Sequence, residues 1–168
     1  MEEAVTIGPY LAVAERAAEL GLEAPRTLAL LPRNFESAVE RDELLDEASA
    51  ATIHQLLRQA GLPEERFDSP QEPFLALAQH AVDWYGPTLF LSAGFINESP
   101  LLVGVAINLI TDYVRELFGR VPGRRRAHLA VVVERDAEKE SVRISYDGEI
   151  EGIKELLPAV ERAISDGH

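Results

Sequence analysis

Three consecutive arginines, Arg124, Arg125 and Arg126, stand just ahead of His128 at the start of an apolar run. Guanidinium groups bind carboxylates and phosphates through paired N–H donors, and a nearby imidazolium adds a further donor. The group reads as an anion or acidic-partner site, or else as a solvated loop that offsets acidic flanks. Arg33 and Asn34 form a second group. They follow the apolar run Arg26–Leu31, which Pro32 ends. A loop directly after a strand is a common place for ligand-binding groups in α/β proteins. His80 is the third feature. On a helix it would meet Asp83 at i+3 and Trp84 at i+4, allowing a charge-assisted His–Asp contact. His54, with Arg58 four residues on, reads as structural, and His168 carries no inference.

The remaining chemistry is quickly narrowed. The chain has no cysteine, which removes disulfides, thiolate catalysis and cysteine-based zinc sites. The histidines are not at metal-ligand spacing, so no metal site is expected. There is no Gly-rich phosphate loop and no G-x-G-x-x-G. Ser92-Ala93-Gly94 lacks the glycine that a nucleophile elbow places two residues before its serine. The acidic pairs, such as Asp42–Glu43 and Asp46–Glu47, lie in polar runs. General acid–base work instead needs a carboxyl in an apolar cleft. No catalytic residue and no cofactor is expected.

The 168 residues carry a net charge of −13. Residues 1–75 hold 15 acids against 6 bases, and residues 127–168 hold 10 against 5, whereas residues 76–126 are near neutral with 4 against 5. Such a surface repels phosphate backbones, which argues against nucleic-acid binding. The neutral middle is also the most apolar part and reads as the core. The opening Met1-Glu2-Glu3-Ala4 lacks an apolar signal segment, so the default location is the cytoplasm.

These groups need elements to position them. The central one is the stretch from Ser99 to Gly119. Ser99 suits an N-cap, Pro100 the first helical position and Gly119 the end. Its first half is apolar all round, which predicts enclosure, while Asp112, Arg115 and Glu116 bring the second half to the surface. Its Tyr113 and Phe118, next to the arginine loop 119–126, are the first place to look for a partner surface. A re-entrant or peripheral membrane segment within residues 87–118 is the alternative reading of this region, although each apolar run is about half of the roughly 20 residues a span requires.

Elsewhere, residues 8–21 read as a helix with Pro9 in its first turn. Residues 26–31 read as a strand. Residues 37–60 read as helical with a break near Ser49, and residues 62–73 as a proline-rich surface loop. The spacing of Phe74, Leu77, Ala78 and Ala81 predicts a helix over 74–85. Residues 88–96 are apolar and short; periodicity does not separate strand from helix there, and the flanking turn residues favour strand. Val131–Val133 mark a strand covered on both faces. Val142, Ile144 and Tyr146 alternate with Arg143 and Ser145, completing a C-terminal β-hairpin over 127–146. Ile150, Ile153, Leu157, Val160 and Ile164, spaced 3, 4, 3 and 4, predict a last helix over 149–165 that Pro158 should kink or split.

The sum is a single α+β domain spanning residues 1–168. It would have a small mixed or antiparallel sheet, with helices packed against it. With no catalytic constellation, the leading expectation is a non-catalytic protein-interaction, regulatory or adaptor domain, with a protein partner or self-association. One alternative is an acidic inhibitor or immunity-type protein that covers a basic partner. Another is a small anionic-ligand-binding protein or enzyme, which requires Arg33, Asn34, His80 or the arginine loop to converge on one pocket.

Overall fold

A computed structural model describes residues 4–78, 83–119, 125–135 and 140–166. The first strand, β1 (Val5–Tyr10), lies where a helix was expected. Val5, Thr6 and Ile7 are β-branched and suit a pleated strand. Pro9 is tolerated because β1 is an edge strand. The helix α1 (Val13–Glu19) begins only after it. It ends at Gly21, whose φ of 72° is the left-handed conformation that glycine adopts without strain.

The strand β2 (Leu28–Leu31) is buried along its whole length. Residues 37–49 then form only a 3-10 turn at Arg41–Glu43 and the two-residue strand β3 (Leu45–Asp46). The helix α2 (Ala50–Gln59) starts after Ser49, as the sequence indicates. Ser49 does not cap it through its side chain. Its hydroxyl donates instead to the Tyr85 carbonyl at 2.8 Å.

The surface loop expected at 62–73 contributes to the sheet. Its β4 (Glu64–Glu65) runs parallel to β2, and Leu62 is buried. The helix expected over 74–85 is absent from the described part of that stretch. Residues 75–76 form β5 (Leu75–Ala76), paired with β3, and residues 84–85 form β6 (Trp84–Tyr85), paired with β8 (Arg126–Glu134). Strand pairing overrides the helical spacing here, as tertiary contacts often do for short segments. The stretch 88–96 divides. Its first part is β7 (Thr88–Leu91), and its second is α3 (Ala93–Glu98). Ser92 makes the switch, accepting the Phe95 N–H at 3.1 Å as an N-cap and donating to the Arg26 carbonyl at 2.6 Å.

The long helix α4 (Pro100–Phe118) has the predicted limits but a different exposure. Its first half is not enclosed. Leu101 is 85% exposed and Val105 42% exposed, while Val103, Ala106, Ile107 and Ile110 face the core. Hydrophobicity all round a helix did not translate into burial all round. Among the described residues no helix is long and apolar enough to cross a membrane.

The strand β9 (Ser141–Glu149) pairs antiparallel with β8 and forms the expected hairpin, running three residues past Tyr146. Gly148 is needed there, because a Cβ would lie 2.8 Å from the Tyr146 hydroxyl. A 3-10 segment (Ile150–Glu155) precedes α5 (Leu156–Asp166). The expected helix is thus split after Glu155, and Pro158 falls in the first turn of α5, where the backbone N–H has no intrahelical partner to lose.

The result is an α+β fold around a seven-stranded mixed sheet in the order β1-β9-β8-β7-β2-β4, with β6 also lying along β8. One face packs on α2, α4 and α5. Leu28, Leu30, Leu89, Leu91, Val131 and Ile144 meet Ile53, Ile107, Ile110 and Val160 there. The other face is covered by α1 and the 32–48 segment, whose Val13, Ala17, Phe35 and Leu44 sit on Leu31, Phe90 and Val132. This second cover does not extend over the near ends of β8 and β9.

Candidate functional site

The uncovered part of the second face is a cavity of about 350 Å³, within the size range of small-molecule sites. Alternation places its floor. With Val132 under the second cover, Ala130 and His128 continue the same face of β8. Their partners on β9 are Arg143, Ser145 and Asp147. Tyr10 adds to this face from β1, and Thr88 from β7. The 32–48 segment supplies the wall, with Arg33, Glu36 and Glu47. Two contacts hold that wall. The Asn34 amide donates to the Glu43 carbonyl at 2.9 Å, and its side-chain oxygen accepts the Leu45 N–H at 2.8 Å. From α1, Arg16 donates to the carbonyls of Phe35 and Ala38.

Tyr85 stacks on His128, with ring centroids 4.3 Å apart and planes within 7°. Gly86 follows, closely packed against the Trp84 ring. Its N–H donates to the His128 carbonyl at 2.8 Å, and a Cβ there would fall 2.4 Å from the Trp84 ring. His128 Nε2 lies 3.3 Å from Asp83 Oδ2, and Nδ1 lies 3.2 Å from Asp147 Oδ1. Asp147 in turn accepts from Arg126 at 3.0 Å. His128 therefore sits between two carboxylates at the cavity rim.

The two arginines are held differently. Arg33 Nε is 3.6 Å from Glu47, and Arg143 Nη1 is 3.8 Å from Glu36. Both distances exceed a hydrogen bond. Burial pushes the Glu47 carboxyl upward, and Arg33 only partly offsets this. Burial, reinforced by the nearby Glu36 carboxylate, also raises the Tyr10 hydroxyl, which stays protonated.

A second polar cluster lies behind β3. His54 Nδ1 meets Glu64 Oε2 at 2.8 Å, with side chains only 8% and 4% exposed. Arg66 donates to Asp68 at 2.9 Å, and the Phe74 N–H donates to the same carboxylate at 3.1 Å. Although burial opposes it, these bonds hold Asp68 below its usual range. Asp46 goes the other way. Burial, with Asp68 beside it, pushes its carboxyl up to about 6. An acid raised in the folded state contributes stability at pH values below its unfolded pKa, and that contribution is lost as pH rises through the folded value. For Asp46 the window runs from about pH 4 to pH 6. Asp46→Asn is therefore expected to be more stable than the parent at pH 7.5, by about 1 kcal/mol after allowance for solvent screening. The two proteins should converge at pH 4. Melting curves at both values check this, and a constant difference across pH would refute it.

The sequence-singled residues are distributed as follows. Arg33 and His128 line the same cavity, with Arg126 at its rim through Asp147. Asn34 holds the wall rather than facing the cavity. Arg125 lies over the Phe118 ring at 5.7 Å, and Tyr113 and Phe118 are partly buried against the helical-side core. Arg124 and His80 lie outside the described residues. Sequence reasoning missed Arg143, Glu36, Glu47, Tyr10 and Tyr85. One signal for Arg143 was present: its alternation with Val142 and Ile144 already put it on the opposite face from the helical core. Among the described residues no cluster of His, Asp or Glu has metal-binding geometry.

These features define an α+β sheet protein with a polar cavity on the incompletely covered face of its sheet. Comparison with protein-family models, curated proteins and solved structures found no match.

Proposed function

We propose that this protein is a binding module for a small organic ligand bearing an anionic group, which Arg33 and Arg143 hold in the sheet-face cavity. One observation carries the reading. Both guanidinium groups line the same cavity, and among the described residues neither makes a side-chain hydrogen bond. Each guanidinium has five N–H donors in a planar fork that matches a carboxylate or phosphate. An adaptor or acidic-inhibitor role would draw on the net charge and on the exposed Leu101 and Val105; the ligand reading has a formed cavity behind it.

The test is calorimetric titration of the full-length protein with a panel of small carboxylates, phosphates and amino acids. At least one is expected to bind, with affinity falling at least about tenfold in Arg143→Ala, the scale of a lost charge-assisted bond. Circular dichroism establishes that the variant is folded. If no panel member binds, or if binding survives in both Arg33→Ala and Arg143→Ala, the reading is wrong.

A further inference from the structure

The cavity holds two cations whose counter-charges share its walls. Arg33 faces Glu47, and Arg143 faces Glu36. Asp147 is separately matched by Arg126 and His128. The free cavity is therefore close to balanced, not strongly positive. An incoming anion that draws both guanidinium groups toward itself takes them from their carboxylates. Glu36 is half exposed and is re-solvated easily. Glu47 is only 11% exposed, so water does not readily replace the lost Arg33. A buried carboxylate stripped of its partner is costly. Burial already disfavours the charged form of Glu47 with Arg33 in place. A simple anion thus meets an opposing cost in this cavity. A ligand that brings its own cation does not.

We propose that the cavity selects a zwitterion, with its anionic group on Arg33 and Arg143 and an ammonium group on Glu47 and Glu36. This rests on the ligand-binding reading above and narrows it. The arrangement exchanges two loose protein pairs for two ligand-bridged ones, so no carboxylate is left bare. Tyr10, protonated on the adjoining sheet face, supports Glu36 through its hydroxyl. Amino acids and their short derivatives have the required chemistry, and the volume of about 350 Å³ accommodates them.

The experiment titrates the full-length protein at pH 7 with the common amino acids. Each is paired with the matched acid that lacks the ammonium group (glutamate with glutarate, phenylalanine with 3-phenylpropionate). At least one amino acid is expected to bind ten times more tightly than its matched acid. Glu47→Gln should reduce that preference by weakening the amino acid while leaving the acid equal or tighter, an effect that general loss of structure does not produce. If the matched acid binds as tightly as the amino acid and Arg143→Ala weakens both, the zwitterion inference fails and the anion reading stands. If neither compound of any pair binds, both fail. The comparison within the unmodified protein decides the matter even where the variant does not fold.

Discussion

Phe90→Ala is expected to lower the unfolding free energy by about 4 kcal/mol, within the range for large-to-small core substitutions. Phe90 is 1% exposed and lies in β7, flanked by β2 and β8. Its ring belongs to the smaller of the two cores, among Leu31, Phe35, Leu44 and Val132. Two of those neighbours are fixed by strand pairing, so the site has little freedom to collapse around the void. Stability for a domain of this size is on the order of 5–15 kcal/mol, so the loss is a large fraction. Urea denaturation measures it directly, and a loss below about 2 kcal/mol would mean that the cover over the second face repacks freely. The same variant bears on the cavity. Phe35 and Leu44 carry the wall segment in which Arg33, Glu36 and Glu47 stand. Loosening their contact with Phe90 should weaken ligand binding without touching a lining residue.

The second large effect is at Glu64. Glu64→Ala is expected to cost about 3 kcal/mol, because it leaves His54 buried with no acceptor for its ring nitrogen. Only the side-chain contact is removed, since the pairing of Glu64 with Leu28 in the sheet is made by the backbone. His54→Leu alone should be destabilising for the mirror reason, leaving a carboxylate with no partner. The double substitution His54→Leu/Glu64→Leu should cost less than the sum of the singles, because no polar group is then stranded. Chemical denaturation of all four proteins at pH 7 gives the coupling. Strictly additive costs below about 1 kcal/mol each would show that the pair is solvated and contributes nothing specific.

How much of this was legible beforehand differs from element to element. Val131–Val133 and the alternation of Val142, Ile144 and Tyr146 announced the hairpin, because a strand buried on two faces and one buried on a single face have distinct patterns. Ser99-Pro100 and Gly119 announced the limits of α4 for equally local reasons. At Gly8-Pro9 and at 75–76 and 84–85, by contrast, the local signals pointed to helix and the chain adopted strand. These strands are short, and their structure is decided by partners 30 or more residues away: β1 by β9, β5 by β3, and β6 by β8. The split that Pro158 implies falls ahead of it, after Glu155, because the proline takes the first turn of α5 and not its interior.

The site divides in the same way. Arg33 and His128 stood out by type and by their place beside strands. Their different roles did not, since only the fold sets Asp83 and Asp147 on either side of one and leaves the other loosely paired with Glu47. Glu47 and Asp46 sit in an acidic run that reads as solvated, and their burial comes from neighbours remote in sequence. By itself the sequence determined the class of fold, the hairpin, the limits of the long helix, and the exclusion of thiol chemistry. The tertiary structure decided which face of the sheet stays open, and therefore which charged groups face one another across a cavity. The physical reason is range. Helix limits and strand alternation follow from the steric and hydrogen-bonding needs of adjacent residues, whereas desolvation and charge pairing depend on atoms that only the folded chain brings together.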